Sequence, residues 1–388
     1  MKVLFAHNGP ILTINGSTFY NRSMGDNLIR RYKQLGDSVS FLMRKAVITA
    51  DQVKRVPQIK EKDFSFIEVP DMMSLKNRLT NKRNINKIIE EAVSEHDILI
   101  ARTPSYIGNL ALKYAKKKNK PYLVEFVACP WDALWNYNWK GKLLAPYAYL
   151  KNRISVKNSD YVIYVTNQFL QKRYPTKGRS INLSNVEIEN VDDQILKERL
   201  QRYRNPSNKL VIGTAANVDV PYKGHETVIR ALDLLTSQNE NANYIYKVVG
   251  SGDTSYIKTI IKKYHMQDYV QLEGALKHEE MNTFYDSIDL YIQPSKQEGL
   301  PRAVIEAMSR GLPVFGSRAG GIPELIESEY TFEKGDYYGL RDLLAKTDNH
   351  KLSKMAERNF NEAKNFYATS INARRKKFYN EFLKSIHS

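Results

Sequence analysis

Cysteine is almost missing from this chain of 388 residues, where Cys129 stands alone. That excludes an internal disulfide framework and any cysteine-built metal cluster, and it makes Cys129 a packing residue before a nucleophile. Apolar runs long enough to cross a bilayer, about 18 residues, are missing too. The opening Met1-Lys2-Val3-Leu4-Phe5-Ala6 runs straight into a strand pattern instead of a signal peptide, so a cytoplasmic protein is expected. No D-x-D motif occurs, and His7, His225, His265 and His278 have no metal-ligand spacing, so neither a metal nor another cofactor is expected. Low-complexity tracts and short-period repeats are absent, which sets solenoid folds aside. Acid is short relative to base, with 42 Asp and Glu against 59 Lys and Arg and a net charge of +17. A surplus of that size asks for an anionic partner: nucleic acid, an anionic membrane surface, or an anionic small substrate.

What is present is a repeated alternation of strands and helices. Short apolar runs at Val3–Ala6, Val39–Leu42, Phe64–Ile67, Asp97–Ile100, Tyr122–Val127 and Tyr161–Val165 are separated by helix-length amphipathic stretches. That pattern predicts a parallel sheet covered on both faces. A second series, at Leu210–Ile212, Tyr244–Val249, Tyr269–Leu272, Leu290–Ile292 and Pro313–Phe315, predicts another. The polar stretch from Asp192 to Lys209 reads as the join. The fold class is therefore α/β, with two Rossmann-like domains over residues 1–190 and 205–368 whose parallel sheets face each other across a cleft. Open sheets of this kind bind ligands at the carboxyl ends of their strands.

The segment Glu298-Gly299-Leu300-Pro301-Arg302-Ala303-Val304-Ile305-Glu306 follows one such strand. Pro301 suits the first helical position, so the spacing puts Glu298 at the strand end and Glu306 on the helix. The free amides of that first turn favour an anion, and the adjacent carboxylates suit sugar hydroxyls. Arg302, a cation in a first turn, fits a negative ligand there. The plainer alternative is that both glutamates flank a solvated helix and Arg302 pairs with one of them.

Glycines mark the other strand ends. Asn8-Gly9-Pro10 and Asn15-Gly16-Ser17 read as a loop opening towards a helix over Met24 to Leu35, where Gly16 allows close backbone approach. Gly213 to Asn217 leads to Tyr222-Lys223-Gly224-His225, which places a cation near a diphosphate. Gly250-Ser251-Gly252, Glu273-Gly274-Ala275-Leu276 and Gly320-Gly321-Ile322-Pro323-Glu324 complete the set. Any one of them alone is ordinary turn chemistry.

In this order, over residues 205 to 330, these motifs resemble the second domain of GT-B-fold glycosyltransferases of family 4, which are retaining and metal-independent. The first domain, with Cys129-Pro130-Trp131-Asp132, more loosely resembles transferases of bacterial surface-polysaccharide assembly. The resemblance implies that Glu306 binds ribose hydroxyls and Glu298 faces the donor sugar. It further implies that Gly299 and Leu300 offer amides, Lys223 holds the leaving diphosphate, and Ala275 and Leu276 border the base, with Asn217, Gly250 and Gly252 nearby. A final helix, about 369–388, is expected to pack back on the first domain. Two departures stand out. Family members carry an arginine where this chain has Asn217, for which Arg302 is the candidate substitute. They also carry a first-domain histidine near Phe126 to Cys129, which is missing here; Glu125, Trp131 and Asp132 are the acceptor-side candidates.

Trp131, Trp135, Tyr137 and Trp139 crowd a segment that runs into Lys140-Gly141-Lys142. This mixture suits a membrane interface, a sugar-stacking acceptor site, or packing between domains. The expected protein is thus a retaining glycosyltransferase moving a hexose from a nucleotide-sugar donor to a glycan or lipid-linked glycan, peripheral at the inner face of the cell membrane. Binding to nucleic acid is not expected. The alternatives are a sugar-nucleotide epimerase or hydrolase on the same architecture, and a non-catalytic basic nucleic-acid-binding protein.

Overall fold

The computed structural model describes the chain apart from residues 22–23, 50–52, 54–55, 72–76, 78–79, 190, 206, 208, 239–242 and 388, and apart from the side chains of 238, 278 and 387. The expected join includes positions 206 and 208, which lie outside the described residues.

The first sheet holds β1 (Lys2–Thr13), β2 (Phe19–Tyr20), β3 (Ser38–Val47), β4 (Phe64–Glu68), β5 (Ile98–Thr103), β6 (Tyr122–Phe126), β7 (Tyr161–Tyr164) and β8 (Arg179–Asn182). Its order is β4-β3-β1-β5-β6-β7-β8, all parallel, with β2 antiparallel to the far end of β1. The second sheet holds β9 (Leu210–Ala215), β10 (Tyr244–Val249), β11 (Val270–Gly274), β12 (Leu290–Gln293), β13 (Val314–Ser317) and β14 (Thr331–Phe332), ordered β11-β10-β9-β12-β13-β14 and parallel throughout. Both sheets bury apolar side chains on two faces, as continuous runs of β-branched and aromatic residues require.

One expected loop is a strand. Asn8-Gly9-Pro10 lies inside β1, where the pairing with β3 shifts register between Ala6 and Pro10, and the chain turns only at Gly16. The stretch expected as a polar join is largely the helix Asp193–Arg204, capped by the Asp192 carboxylate and packed on the second domain through Tyr203. Arg199 on that helix is buried and donates to the carbonyl of Tyr285 at 2.9 Å. The charges that made this stretch read as a join thus partly point inward.

The chain crosses between domains twice, side by side. Ile188 pairs with Tyr367, its amide donating to Phe366 and its carbonyl accepting from Ala368 at 2.9 Å. The last helix, Ala368–His387, then lays Ile371, Phe378, Tyr379 and Phe382 against the first sheet. Each such side chain contributes about 1.5–3 kcal/mol when fully buried. Arg375, in the basic run Arg374-Arg375-Lys376-Lys377, is 2% exposed and donates to Glu187 at 2.7 Å, fixing the helix to the crossover.

Candidate active site

In the second sheet the strand order reverses at β9, which has β10 on one side and β12 on the other. The crevice at such a switch point is where open α/β sheets take ligands. The loops leaving β9 and β12 carry Lys223 and Glu298, and the structure joins them: Lys223 Nζ is 2.6 Å from Glu298 Oε1. Their side chains are only 21% and 12% exposed.

Glu298 is held from behind by a row of hydrogen bonds. Tyr291 Oη donates to Gln293 Oε1 at 2.8 Å, Gln293 Nε2 to Ser295 Oγ at 2.8 Å, and Ser295 Oγ to Glu298 Oε1 at 2.8 Å. Gln293 Nε2 also lies 3.3 Å from Glu298. Such a chain polarises along its length and fixes the carboxylate's direction. Sequence reading missed Tyr291, Gln293 and Ser295. Their signal was a row at every second position along β12 and beyond it, which puts three polar groups on one buried face.

The helix Arg302–Ser309 begins one residue later than expected, with Pro301 as its cap residue and no side chain satisfying its first amides. Arg302 is half exposed and lies 3.8 Å from Glu306, one turn along the same helix. The plainer pairing is thus present as a long contact, and the guanidinium stays half exposed beside the first-turn amides. Glu306 also accepts from Tyr285 Oη at 3.0 Å, a buried phenol that burial pushes well above its ordinary pKa.

Glycine is required at these strand ends because the loops touch one another. A Cβ on Gly250 would sit 1.9 Å from the Ala216 carbonyl oxygen, and one on Gly320 would sit 2.0 Å from that of Glu298. On Gly224, with φ +80°, a Cβ would sit 2.0 Å from the Pro294 carbonyl oxygen, so the Lys223 turn is seated on the Glu298 loop. On Gly252 it would sit 2.5 Å from the Asp219 carboxylate. Asn217 takes part through its backbone, its carbonyl accepting from His225 Nε2 at 3.1 Å while Tyr246 Oη lies 3.0 Å from Nδ1. His225 is buried and neutral, since desolvation lowers its pKa to about 4. Ala275 is exposed beyond β11, and Leu276 packs against the apolar cluster around Phe284 and Ile305. Gly16, with φ +80°, stands at the tip of the hairpin between β1 and β2, and a Cβ added there would meet open space.

The first domain closes over this crevice at several points. A Cβ on Gly299 would meet the Val127 carbonyl oxygen at 2.6 Å, directly beyond β6. Leu300 packs into the apolar clusters of both domains. Glu324, at the end of the last glycine motif, accepts from the amides of Asn167, Gln168 and Phe169 at 2.5, 3.0 and 2.5 Å. That motif serves the domain seam.

The acceptor-side candidates separate. Glu125 is 2% exposed, and its Oε2 accepts from Arg102 Nε and Nη2 at 2.9 and 2.8 Å. Burial works to raise its pKa, but Arg102, Arg31 and the hydrogen bonds to Arg102 and Tyr32 together bring it below the ordinary value. It is a core ion pair and cannot assist an acceptor. The sequence placed it on a strand but not on which face. Asp132 does lie at the seam, 3.3 Å from Arg173 and 3.8 Å from Lys334 of the second domain. Trp131 stacks on Trp135 beside it, with Arg173 over its ring. A separate cavity of about 290 Å³ opens behind Leu300, lined by Asn182, Ser184, Glu324, Asn365 and Arg374, and shares only Leu300 with the candidate donor residues.

Two parallel α/β domains with strand ends facing across a closed seam define the GT-B fold, the fold of nucleotide-sugar glycosyltransferases among others. Comparison with known proteins agrees: residues 197–346 match the family described as glycosyl transferases group 1. Protein CapJ of Staphylococcus aureus is 30% identical over 348 residues, covering 89% of this chain and 85% of that protein. The chain belongs to this glycosyltransferase family. The amylovoran biosynthesis glycosyltransferase AmsK of Erwinia amylovora is 36% identical over 132 residues, 31% of this chain and 32% of AmsK. Anabaena HepE, solved in complex with UDP-glucose, superposes with a TM-score of 0.66 at 17% identity, covering 98% of this chain and all of that one, and shows the shared fold.

Proposed function

We propose that the chain moves a hexose from a nucleotide-sugar donor to a hydroxyl of a lipid-linked glycan in surface-polysaccharide synthesis, with retention and without a metal, at the inner face of the cell membrane. The observation that carries this reading is the Lys223–Glu298 contact at the switch point, beside uncapped helix amides. In the reaction the bond between the anomeric carbon and the diphosphate oxygen breaks, and the acceptor oxygen bonds to that carbon from the same face. The acceptor's proton leaves with the diphosphate. Lys223 exchanges Glu298 for the departing phosphate charge, and the first-turn amides of Arg302–Ser309 share it, so the cationic charge a metal would bring is supplied by the protein. Glu298, still held by Ser295, faces the sugar hydroxyls, and Glu306 the ribose. CapJ and AmsK support the polysaccharide setting, and the UDP-glucose complex of HepE supports a nucleotide-sugar donor.

The test begins with a thermal-shift screen of nucleotide sugars, since a ligand bound to the native state raises its stability. The donor found is then incubated with a lipid-linked glycan in the presence of EDTA, and the product anomer is read by NMR. A retained anomer formed at an undiminished rate is expected. No stabilising nucleotide sugar, an inverted anomer, dependence on a divalent ion, or brisk epimerisation without acceptor overturns the reading.

A further inference from the structure

The helix Trp139–Lys157 is built inside out. Its buried positions are Gly141, Ala145, Asn152 and Val156, and Tyr149 packs on the core between Trp131 and Tyr174, while a row of other large apolar side chains faces solvent. Trp139, Leu143, Tyr147, Leu150 and Ile154 are 55% to 71% exposed. Their spacing of three and four residues aligns them in one stripe, about 22 Å long at about 1.5 Å per residue. No acidic residue occurs between 139 and 157, whereas Lys140, Lys142, Lys151, Arg153 and Lys157 do. Lys140, Lys142 and Lys151 each lie within 6 Å of an aromatic ring, at Trp139, Trp135 and Tyr147. Among the described residues no helix is long and apolar enough to cross a membrane.

We infer that this stripe is a docking surface for an anionic lipid bilayer, into which the helix settles in the plane of the interface. The chemistry favours that occupant over a second copy of the chain. A self-contact would bring together two cationic faces with no acid on either helix, on chains of net charge +17. A bilayer offers both requirements at once: acyl chains for the stripe, and phosphates for the lysines that flank it. Exposed Trp139 and Tyr147 suit the boundary between the two.

The stripe also has a fixed relation to the cleft. It follows directly on the helix Pro130–Trp135, which carries Asp132, and Asn136 at that helix's end donates to the carbonyl of Lys296 at 3.4 Å. A bilayer engaged by the stripe therefore lies next to the mouth of the seam, where a lipid-borne acceptor enters. Only this last consequence rests on the transferase reading; docking itself does not.

The test uses the full chain and co-sedimentation with vesicles of phosphatidylcholine, or of phosphatidylcholine with phosphatidylglycerol, at low and high salt. The wild type is expected to bind the anionic vesicles, with the Trp fluorescence shifting to the blue. Leu143→Ser/Leu150→Ser/Ile154→Ser should weaken binding by about a hundredfold or more, from the transfer of three apolar side chains. Lys140→Gln/Lys142→Gln/Lys151→Gln should weaken it by about a hundredfold at low salt and flatten the salt dependence. Absence of wild-type binding to anionic vesicles at low salt overturns the inference, as does wild-type affinity in both variants. So does a wild-type dimer, dissolved by the apolar variant, that ignores vesicles. Stabilisation by nucleotide sugar in solution is the control: a docking variant keeps it, whereas its absence in a wild type that still binds vesicles strikes the transferase reading alone.

Discussion

Lys223→Met removes one charge from the switch-point pair and tests the site most directly. In the ligand-free structure the ammonium is spent on Glu298 at 2.6 Å, so the substitution has two separable effects. Truncating one partner of a fully buried ion pair costs about 3–5 kcal/mol of stability. Here both side chains keep some solvent, and Glu298 retains Ser295 Oγ at 2.8 Å and Gln293 Nε2 at 3.3 Å. The stability cost should therefore fall to about 1–2 kcal/mol, a melting-point drop of about 2–8 °C. The effect on turnover should be larger, because the cation acts on charge that develops only as the diphosphate leaves. Loss of one such group costs about 10²–10³ in kcat, or about 2.7–4 kcal/mol of the barrier. The assay is release of nucleoside diphosphate at saturating donor and acceptor, beside a thermal melt. A kcat within about threefold of wild type, at a temperature where the variant is folded, refutes the leaving-group role. Combining it with Glu298→Gln should give a non-additive stability change of about 1 kcal/mol, which is what contact between the two requires.

Three further outcomes are expected. Arg102→Met strands the Glu125 carboxylate in the core and should destabilise by about 3–5 kcal/mol in urea melts, whereas Glu125→Gln should keep turnover per folded molecule. Because the folded pKa of Glu125 is depressed, its contribution is present above the ordinary value of 4.5 and lost as pH falls through the lower folded value, a loss that Glu125→Gln abolishes. His225 follows the same sign in a higher pH window: its folded pKa of about 4 lies below the ordinary 6.5, so the unfolded chain takes up a proton the folded chain refuses. Stability should fall between those values by about 3 kcal/mol towards pH 4, and His225→Gln should flatten that part of the urea-melt profile. Gly299→Ala drives a methyl to 2.6 Å from the Val127 carbonyl and should wedge the domains apart, increasing the radius of gyration in small-angle scattering and lowering kcat; an unchanged radius with full activity counts against the seam described here.

Much of the fold is legible from periodicity. Strands of parallel sheets are rich in apolar residues, so β1, β3 to β7 and β9 to β13 announce themselves by short runs between helix-length segments. The short β2, β8 and β14 do not, because two to four residues at an edge carry no pattern, and the helix Asp193–Arg204 was masked by its charges. In the candidate site, glycine spacing marked loops that meet at the switch point, but the reason read for them was incomplete. Close approach was read as room for phosphate, but at Gly224, Gly250 and Gly320 the neighbour is another loop's backbone.

The sequence by itself determined that two parallel α/β units exist, that Lys223 and Glu298 lie in loops after strands of the second with Glu306 on the helix that follows, and that base outweighs acid. Those are properties of spacing and composition, which a linear chain already contains. Direction and partnership were decided only in three dimensions. Tertiary packing turned Glu125 inward onto Arg102 and paired Arg302 with Glu306. It also spent Glu324 on the domain seam and set Lys223 against Glu298. On Trp139–Lys157 it turned Gly141, Ala145 and Val156 inward and left Trp139, Leu143, Tyr147, Leu150 and Ile154 in solvent, because a helix buries whichever face its neighbours leave room for.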